Sequence, residues 1–324
     1  MIYKKKLKKT GVDNKMLSRA LQQIKTKKYQ EDEYIHDEHQ YLSLINDIIE
    51  IGEKVNGRNG VAVTVSGSAM HFSLQGGTIP LLTTKKVAAK TCLKELLWFV
   101  SGATDNELLQ KQNVKIWNGN ASREFLDSRG LDGLRENDLG PVYGHQWRHF
   151  NAPYQSCDTD YTGKGVDQLA WVIEQLSDPQ KRSSRRIVMS AWNPCQLDEM
   201  ALPPCHVLVQ FNVLSGNKLS CSLYQRSGDV GLGVPFNIAS YSFLTHLLAK
   251  HCGLEAYDFN YHLGNCHIYD DHIEPLRTQM ERRPHKFPTV VVKNKYDNIA
   301  DYGVDDFEVN DYVCHEPIQM SMRK

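Results

Sequence analysis

The 324-residue chain predicts an α+β protein folded as one large domain. Three observations carry that expectation. Segments of period-two alternation stand beside segments of helical period throughout the chain. No internal repeat, low-complexity linker or composition break follows residue 38. Hydrophobic residues at 41% and charged residues at 23% are globular proportions, in a chain long enough to bury a substantial core.

Taken in order, "QYLSLINDIIEIG" sets apolar residues at 42, 44, 45, 48, 49 and 51, a helix stopped by Gly52. "VAVTVSGSAMHFSL" alternates as a strand, with Val61, Val63 and Val65 on one face. "CLKELLWFVSG" reads as an apolar helix interrupted by Lys94 and Glu95, where a buried carboxylate is costly unless it is paired or used. "GVDQLAWVIEQLSDP" is a second amphipathic helix, and "RRIVMSAWNP" a buried strand behind paired arginines. Val207, Val209, Phe211 and Val213 alternate, "LSGNK" turns, and "LSCSLYQRS" alternates back. Residues 207 to 226 therefore predict a β-hairpin with Cys205 at its entrance. A glycine-punctuated loop, "GDVGLGVPFN", leads to the long helix "IASYSFLTHLLAKHCG", ended by Gly253. "YDFNYHLGNCHIY" closes the series as a strand.

Net charge is zero, but unevenly spread: residues 1 to 28 hold ten Lys or Arg against one Asp, a net of +9. Met16, Leu17, Ala20, Leu21 and Ile24 fall at helical spacing there, so a basic amphipathic helix competes with a solvated arm. Residues 1–37 are read as a basic extension and 38–324 as the folded domain. No apolar run is long enough to span a bilayer, and "MIYKKKLKKT" lacks the apolar segment of a secretory signal. Eight scattered cysteines without C-x-x-C spacing predict reduced thiols in a cytoplasmic setting, with no metal site.

The chemistry centres on "LPPCHVLVQFNV". Two prolines fix φ and remove two donors, so the backbone presenting Cys205 is stiff. The hairpin returns Gln225, Arg226 and Ser227 beside that start, and an arginine near a thiol favours the attacking thiolate. From the residues alone, a nucleophile and a buried structural cysteine remain equally open.

Longer motifs decide between them. "ALPPCHVLVQFNV", "LSCSLYQRSGDVGLGVPFNIASYSFLTHLLA" and "HLGNCHIYDDHIEPL" strongly resemble the thymidylate synthase family. So do "IPLLTTKKV", "KELLWFVSG", "NDLGPVYGHQWRHF", "YTGKGVDQL" and "SRRIVMSAWNP", in the family order from about residue 38 onward. The resemblance implies a mixed β-sheet with packed helices, and a homodimer joined sheet to sheet with composite sites. It implies dUMP as substrate and 5,10-methylenetetrahydrofolate as donor of carbon and hydride, with dTMP and dihydrofolate as products. Cys205 would add to C6 of the uracil, making C5 nucleophilic.

By motif match, Arg58, Arg226 and Ser227 would hold the phosphate, joined by Arg185 and Arg186 from the partner subunit. Gln225 belongs to the same nucleotide set. Asn237 would pair with O4 and N3–H of uracil, since an amide both donates and accepts. His267 and Tyr269 would take the ribose 3′-hydroxyl. Glu95 would organise water and proton movement, and Tyr143 would help remove the C5 proton. Asp229, counted with the catalytic and nucleotide sets too, would bind the pterin, with Lys85, Trp117, Leu232, Phe236 and Arg323 completing the folate side. Trp117, Tyr143 and His206 suit packing roles as well.

Three stretches depart from the family pattern: "GRNGVAV" around Arg58, "LGNCHIY" with Asn265 and Cys266, and the tail "IQMSMRK", where Arg323 and Lys324 replace a small and an apolar residue. The altered tail keeps a dUMP hydroxymethylase as the alternative, with water capturing the methylene intermediate. A reading from another class is a nucleic-acid-binding regulatory protein that works through its basic arm.

Overall fold

A computed structural model describes residues 36–57 and 59–323; the basic arm, Arg58 and Lys324 lie outside the described residues. The sheet's outer strands are β1 (Glu53–Gly57) and β3 (Val188–Ser190); between them run β2 (Gly60–Ser73), β6 (Glu255–Tyr269), β5 (Lys218–Asp229) and β4 (His206–Leu214). Every neighbouring pair is antiparallel except β5 with β6. The sheet is therefore mixed, as expected. A second, two-stranded sheet pairs β7 (Thr289–Val292) with β8 (Phe307–Asn310).

One face of the sheet builds the core. Val209 and Phe211 of β4, Cys221 and Leu223 of β5, Phe259 and Tyr261 of β6, and Met70 and Phe72 of β2 are buried there. Helices α1 (His39–Ile51) and α7 (Gly233–Cys252) cover this face, and α2 (Ala89–Val100) packs on α7. Shorter helices α3 (Asn106–Gln110), α4 (Arg123–Ser128), α5 (Tyr143–His149), α6 (Gln168–Ser177) and α8 (Ile273–Met280) complete the elements used below. The opposite face carries Val188, Leu208 and Tyr224, each more than a third exposed. None of the described helices is long and apolar enough to cross a membrane. None of the eight cysteines forms a disulfide: Cys92, Cys221, Cys252 and Cys266 are buried, Cys157, Cys205 and Cys314 half-buried, and Cys195 exposed.

Most elements fall where the sequence put them, with three differences. Alternation in β2 changes phase: Val63 is buried, but so are Met70 and Phe72 beyond Gly67, whose φ of +78° lets the strand kink. The "buried strand" at 185–194 shrinks to three residues at a sheet edge, with Val188 exposed. The loop expected at 228–237 is instead the end of β5 and the start of α7. Asp229 explains that compactness: its Oδ1 accepts from the backbone N–H of Gly231 (2.8 Å) and Leu232 (3.2 Å), two donors entering the helix. Gly52 ends α1 as expected, because a Cβ there would stand 2.3 Å from the carbonyl of Ile48.

The domain's first turn is tied down by a buried carboxylate. Glu38 accepts from the backbone N–H of Thr83 (2.9 Å) and Thr84 (2.8 Å) and from both hydroxyls at 2.6 Å. Gln279 of α8 donates to the Thr84 hydroxyl at 2.8 Å, so one carboxylate links three distant segments. Replacing Glu38 by Ala strands these buried donors. Urea unfolding of Glu38→Ala should show a loss on the order of 3 kcal/mol, and a loss below the error of the measurement would contradict this account.

Candidate functional site

Cys205 stands just before β4 at a register shift between His206 and Leu208. Its loop is held from two sides. The Tyr143 hydroxyl, at the start of α5, accepts from the Cys205 N–H at 2.7 Å and lies 3.4 Å from that of His206. From β5, Arg226 donates through Nε to the carbonyl of Pro204 (2.8 Å) and through Nη2 to that of Pro203 (2.9 Å). Its backbone N–H donates to the Cys205 carbonyl at 3.0 Å, and its guanidinium lies 5.6 Å from the Trp192 ring centroid. The arginine thus reaches the cysteine's loop as the hairpin predicts, and it grips the backbone there.

Beneath the loop runs a buried polar relay. Tyr261 donates to Gln225 Oε1 at 2.6 Å, and Gln225 Nε2 donates to Asn237 Oδ1 at 3.0 Å. Asn237 Nδ2 meets His206 Nε2 at 2.7 Å. Burial pushes the His206 imidazole down to about 3, so Nε2 is free to accept from the amide. Each link has one orientation, which fixes the Asn237 amide. Burial also drives the Tyr143 phenol well above its usual range, with the Cys205 sulfur as a second cause. Tyr143 is a hydroxyl here, never a phenolate.

Glu95 sits buried on α2 and accepts from the Trp117 indole at 2.7 Å. Trp117 and Tyr143 meet edge to face, and Phe99 packs on Tyr143 with ring centroids 4.8 Å apart. Desolvation in this aromatic surround raises the carboxyl to about 7 despite the indole bond.

Ser227, His267 and Tyr269 line a cavity of about 260 Å³, together with Asn265, Thr64 and Gly60. His267 Nδ1 lies 2.9 Å from Asn265 Oδ1, and Asn265 donates to Thr64 at 2.6 Å. Of the residues expected to meet the folate, Leu232 and Phe236 are half-buried at the start of α7, a few residues past Asp229. Lys85 is buried and donates to the Gly231 carbonyl, pinning the same turn; burial lowers its ammonium to about 8. Arg323 pairs with Asp270 at 3.2 Å and Asp271 at 2.8 Å. Arg185 and Arg186 are exposed beyond the far edge strand and are not brought to the cavity.

Tyr261 and Trp192 were not among the sequence candidates. Tyr261 looks like any core residue of an alternating strand, and no local signal pairs Trp192 with Arg226. A cavity of about 860 Å³ between the start of α2 and β8 contains none of the candidate residues. Among the described residues Asp105, Cys157 and Asp158 cluster at metal-ligand spacing, but Arg135 bridges Asp105 (3.0 Å) and Asp158 (2.9 Å).

The class the fold and site define is a mixed-sheet α+β domain that presents a half-buried cysteine beside an oriented amide relay. The family model described as thymidylate synthase matches residues 39–324, and the chain belongs to that family. It is 51% identical over 288 residues to the thymidylate synthase of Ascaris suum, covering 88% of this chain and 97% of the relative. It is equally, 51%, identical over 298 residues to that of Saccharomyces cerevisiae, with the same 88% and 97% coverage. Against the bifunctional dihydrofolate reductase-thymidylate synthase of Leishmania amazonensis it is 50% identical over 289 residues, 89% of this chain, and spans 55% of that protein's length. The chain thus spans about half the length of the bifunctional Leishmania relatives it matches.

The Glu95 carboxyl carries a pH signature. It is held near 7 when folded against an ordinary value of 4.5, so unfolding releases a proton between those values. Stability from this group is full below about pH 4.5 and declines as pH rises through 7, by on the order of 3 kcal/mol. Denaturant titrations across that window should show Glu95→Gln lacking this decline; parallel curves for the two proteins would refute the assignment.

Proposed function

We propose that the chain is a thymidylate synthase that converts dUMP to dTMP with 5,10-methylenetetrahydrofolate, through a covalent bond from Cys205 to C6 of uracil. The observation carrying this reading is the arrangement at Cys205: a half-buried thiol on a loop fixed by Tyr143 and Arg226, above a relay that orients Asn237. Family membership supports it.

In this reading the thiolate adds to C6, and the electron pair moves to C5 and O4. Asn237 keeps one amide hydrogen and one lone pair beyond the relay, and these match N3–H and O4 of uracil. Ser227, His267 and Tyr269 take the sugar and phosphate in the cavity they line. Arg58 adds charge by its motif. Tyr143, held as a hydroxyl, passes a proton from C5 through water and does not act as a phenolate base. Glu95, poised near 7, exchanges a proton with O4 through water. The folate supplies a one-carbon unit at the aldehyde level and a hydride. Half-buried Leu232 and Phe236 offer apolar walls beside the Asp229 carboxylate, a donor set that fits a flat amino-pterin; Trp117 completes the wall, and Lys85 holds the turn.

The reading extends to a homodimer. Val188, Leu208 and Tyr224 share the outer sheet face by register, an exposed apolar surface suited to a second copy. Arg185 and Arg186 leave the sheet at the far edge from their own cavity, as residues serving a partner's phosphate would. Residues 38–324 are taken as the catalytic domain and 1–37 as an extension outside it. Free thiols suit a reducing cytoplasm.

With dUMP and methylenetetrahydrofolate, dihydrofolate absorbance and nucleotide mass should rise together as dTMP. Cys205→Ser should cut turnover on the order of a thousandfold or more while dUMP still binds; near-normal methylation by that variant would falsify the covalent role. Mixing Arg186→Ala subunits with Cys205→Ser subunits should recover part of the lost activity through hybrid dimers. Hybrids that demonstrably form yet stay inactive would remove the shared site.

A further inference from the structure

The C-terminal tail returns to the rim of the 260 Å³ cavity and is held at three points. Met320 packs against the core, with its sulfur 3.3 Å from where a Cβ on Gly231 would stand. His272 Nε2 lies 2.8 Å from the Ser321 carbonyl. Arg323 pairs with both Asp270 and Asp271, and its guanidinium lies 5.6 Å from the centroid of the Tyr269 ring. Its Nη1 stands 3.7 Å from the Cβ position of Gly60. Tyr269 and Gly60 both line the 260 Å³ cavity, so the guanidinium stands at its rim.

We propose that Asp270 and Asp271 are positioning residues for the tail, which through Arg323 hold residues 320–323 closed over the nucleotide cavity by an ion-pair latch. What the cavity holds rests on the thymidylate synthase reading; the latch itself does not. Apolar docking by Met320 alone sets the depth of the tail. Two carboxylates on one guanidinium fork, backed by an aromatic ring, set its direction. All three side chains are at least a third exposed (Arg323 34%, Asp271 38%, Asp270 52%), so the latch is open to screening by salt. Closure of this site is therefore an ionic-strength-dependent event, and the cation that departs from the family tail is the part that performs it.

Hydrogen exchange of the intact protein, read by mass spectrometry on the peptide containing residues 318–323, tests the latch directly. Without nucleotide, Asp270→Asn with Asp271→Asn should exchange about three- to tenfold faster in that peptide alone. Arg323→Gln should match it, and high salt should speed the unaltered protein while leaving both variants nearly unmoved. Reversing the charges, with Asp271→Arg and Arg323→Asp together, should restore protection. Unchanged exchange in the neutralised variants, or no recovery on reversal, overturns the latch whatever the enzyme assay reads. In turnover the same neutralised variants should raise KM for the folate several-fold more than they lower kcat, with Arg323→Lys partly restoring it. A kcat loss without that KM effect, which a purely structural role would give, counts against positioning. Failure of the parent reading looks different: no dTMP from the unaltered protein, with the tail still protected.

Discussion

The parallel pairing of β5 with β6 is the constraint from which the site follows. Antiparallel neighbours can be joined by a tight turn, but parallel ones need a crossover. Here the crossover is the 20-residue helix α7, which begins only four residues past the end of β5. That short connection sets Asn237, at the start of the helix, within hydrogen-bonding distance of Gln225 on the strand it has just left. The returning β6 then lays Asn265 opposite Ser227 and His267 opposite Asp229. One topological choice therefore places both the Asn237 amide and the His267 imidazole.

Buried polar groups do the rest of the positioning. An unmade hydrogen bond inside a protein costs about 1–3 kcal/mol, more than a typical made one contributes. The series from Tyr261 through Gln225 and Asn237 to His206 is held in order by that asymmetry, because reversing any amide would strand its neighbour. Glu38 applies the same rule at the edge of the domain, far from the cysteine. The Cys205 loop differs in kind. Its two prolines offer no N–H, so only their carbonyls can be gripped, and Arg226 grips both, while Tyr143 takes the N–H of the cysteine that follows.

Much of this was legible in the sequence, and the exceptions have physical causes. The hairpin at 207–226 could be read because only one face of it is buried, which imposes alternation. Strand β1, "EKVNG", could not: all five residues are exposed, and it exists through its backbone pairing with β2. A short apolar run such as "RRIVMS" does not say whether a strand is central or at an edge, so β3 came out shorter and more exposed than expected. Around the cysteine, the side chains expected to meet a ligand sit in recognisable motifs, while those that support them do not. Tyr261 and Trp192 are ordinary aromatic residues until the fold brings Gln225 and Arg226 to them. The Glu38 bridge to Thr83 and Thr84 spans some 45 residues, beyond any local pattern.

The distribution of thiols has a consequence for anyone who would label this protein. Four of its eight cysteines are buried and closed to reagent, but the most open of the remainder is Cys195, in the turn after β3, and not Cys205. A soft electrophile therefore has an easier target at Cys195 than at Cys205. Counting modified thiols per chain would register Cys195 as readily as Cys205. Covalent probes and crosslinkers designed against Cys205 gain selectivity from a scaffold that recognises the side chains around its loop, or from a chain in which Cys195 has first been replaced.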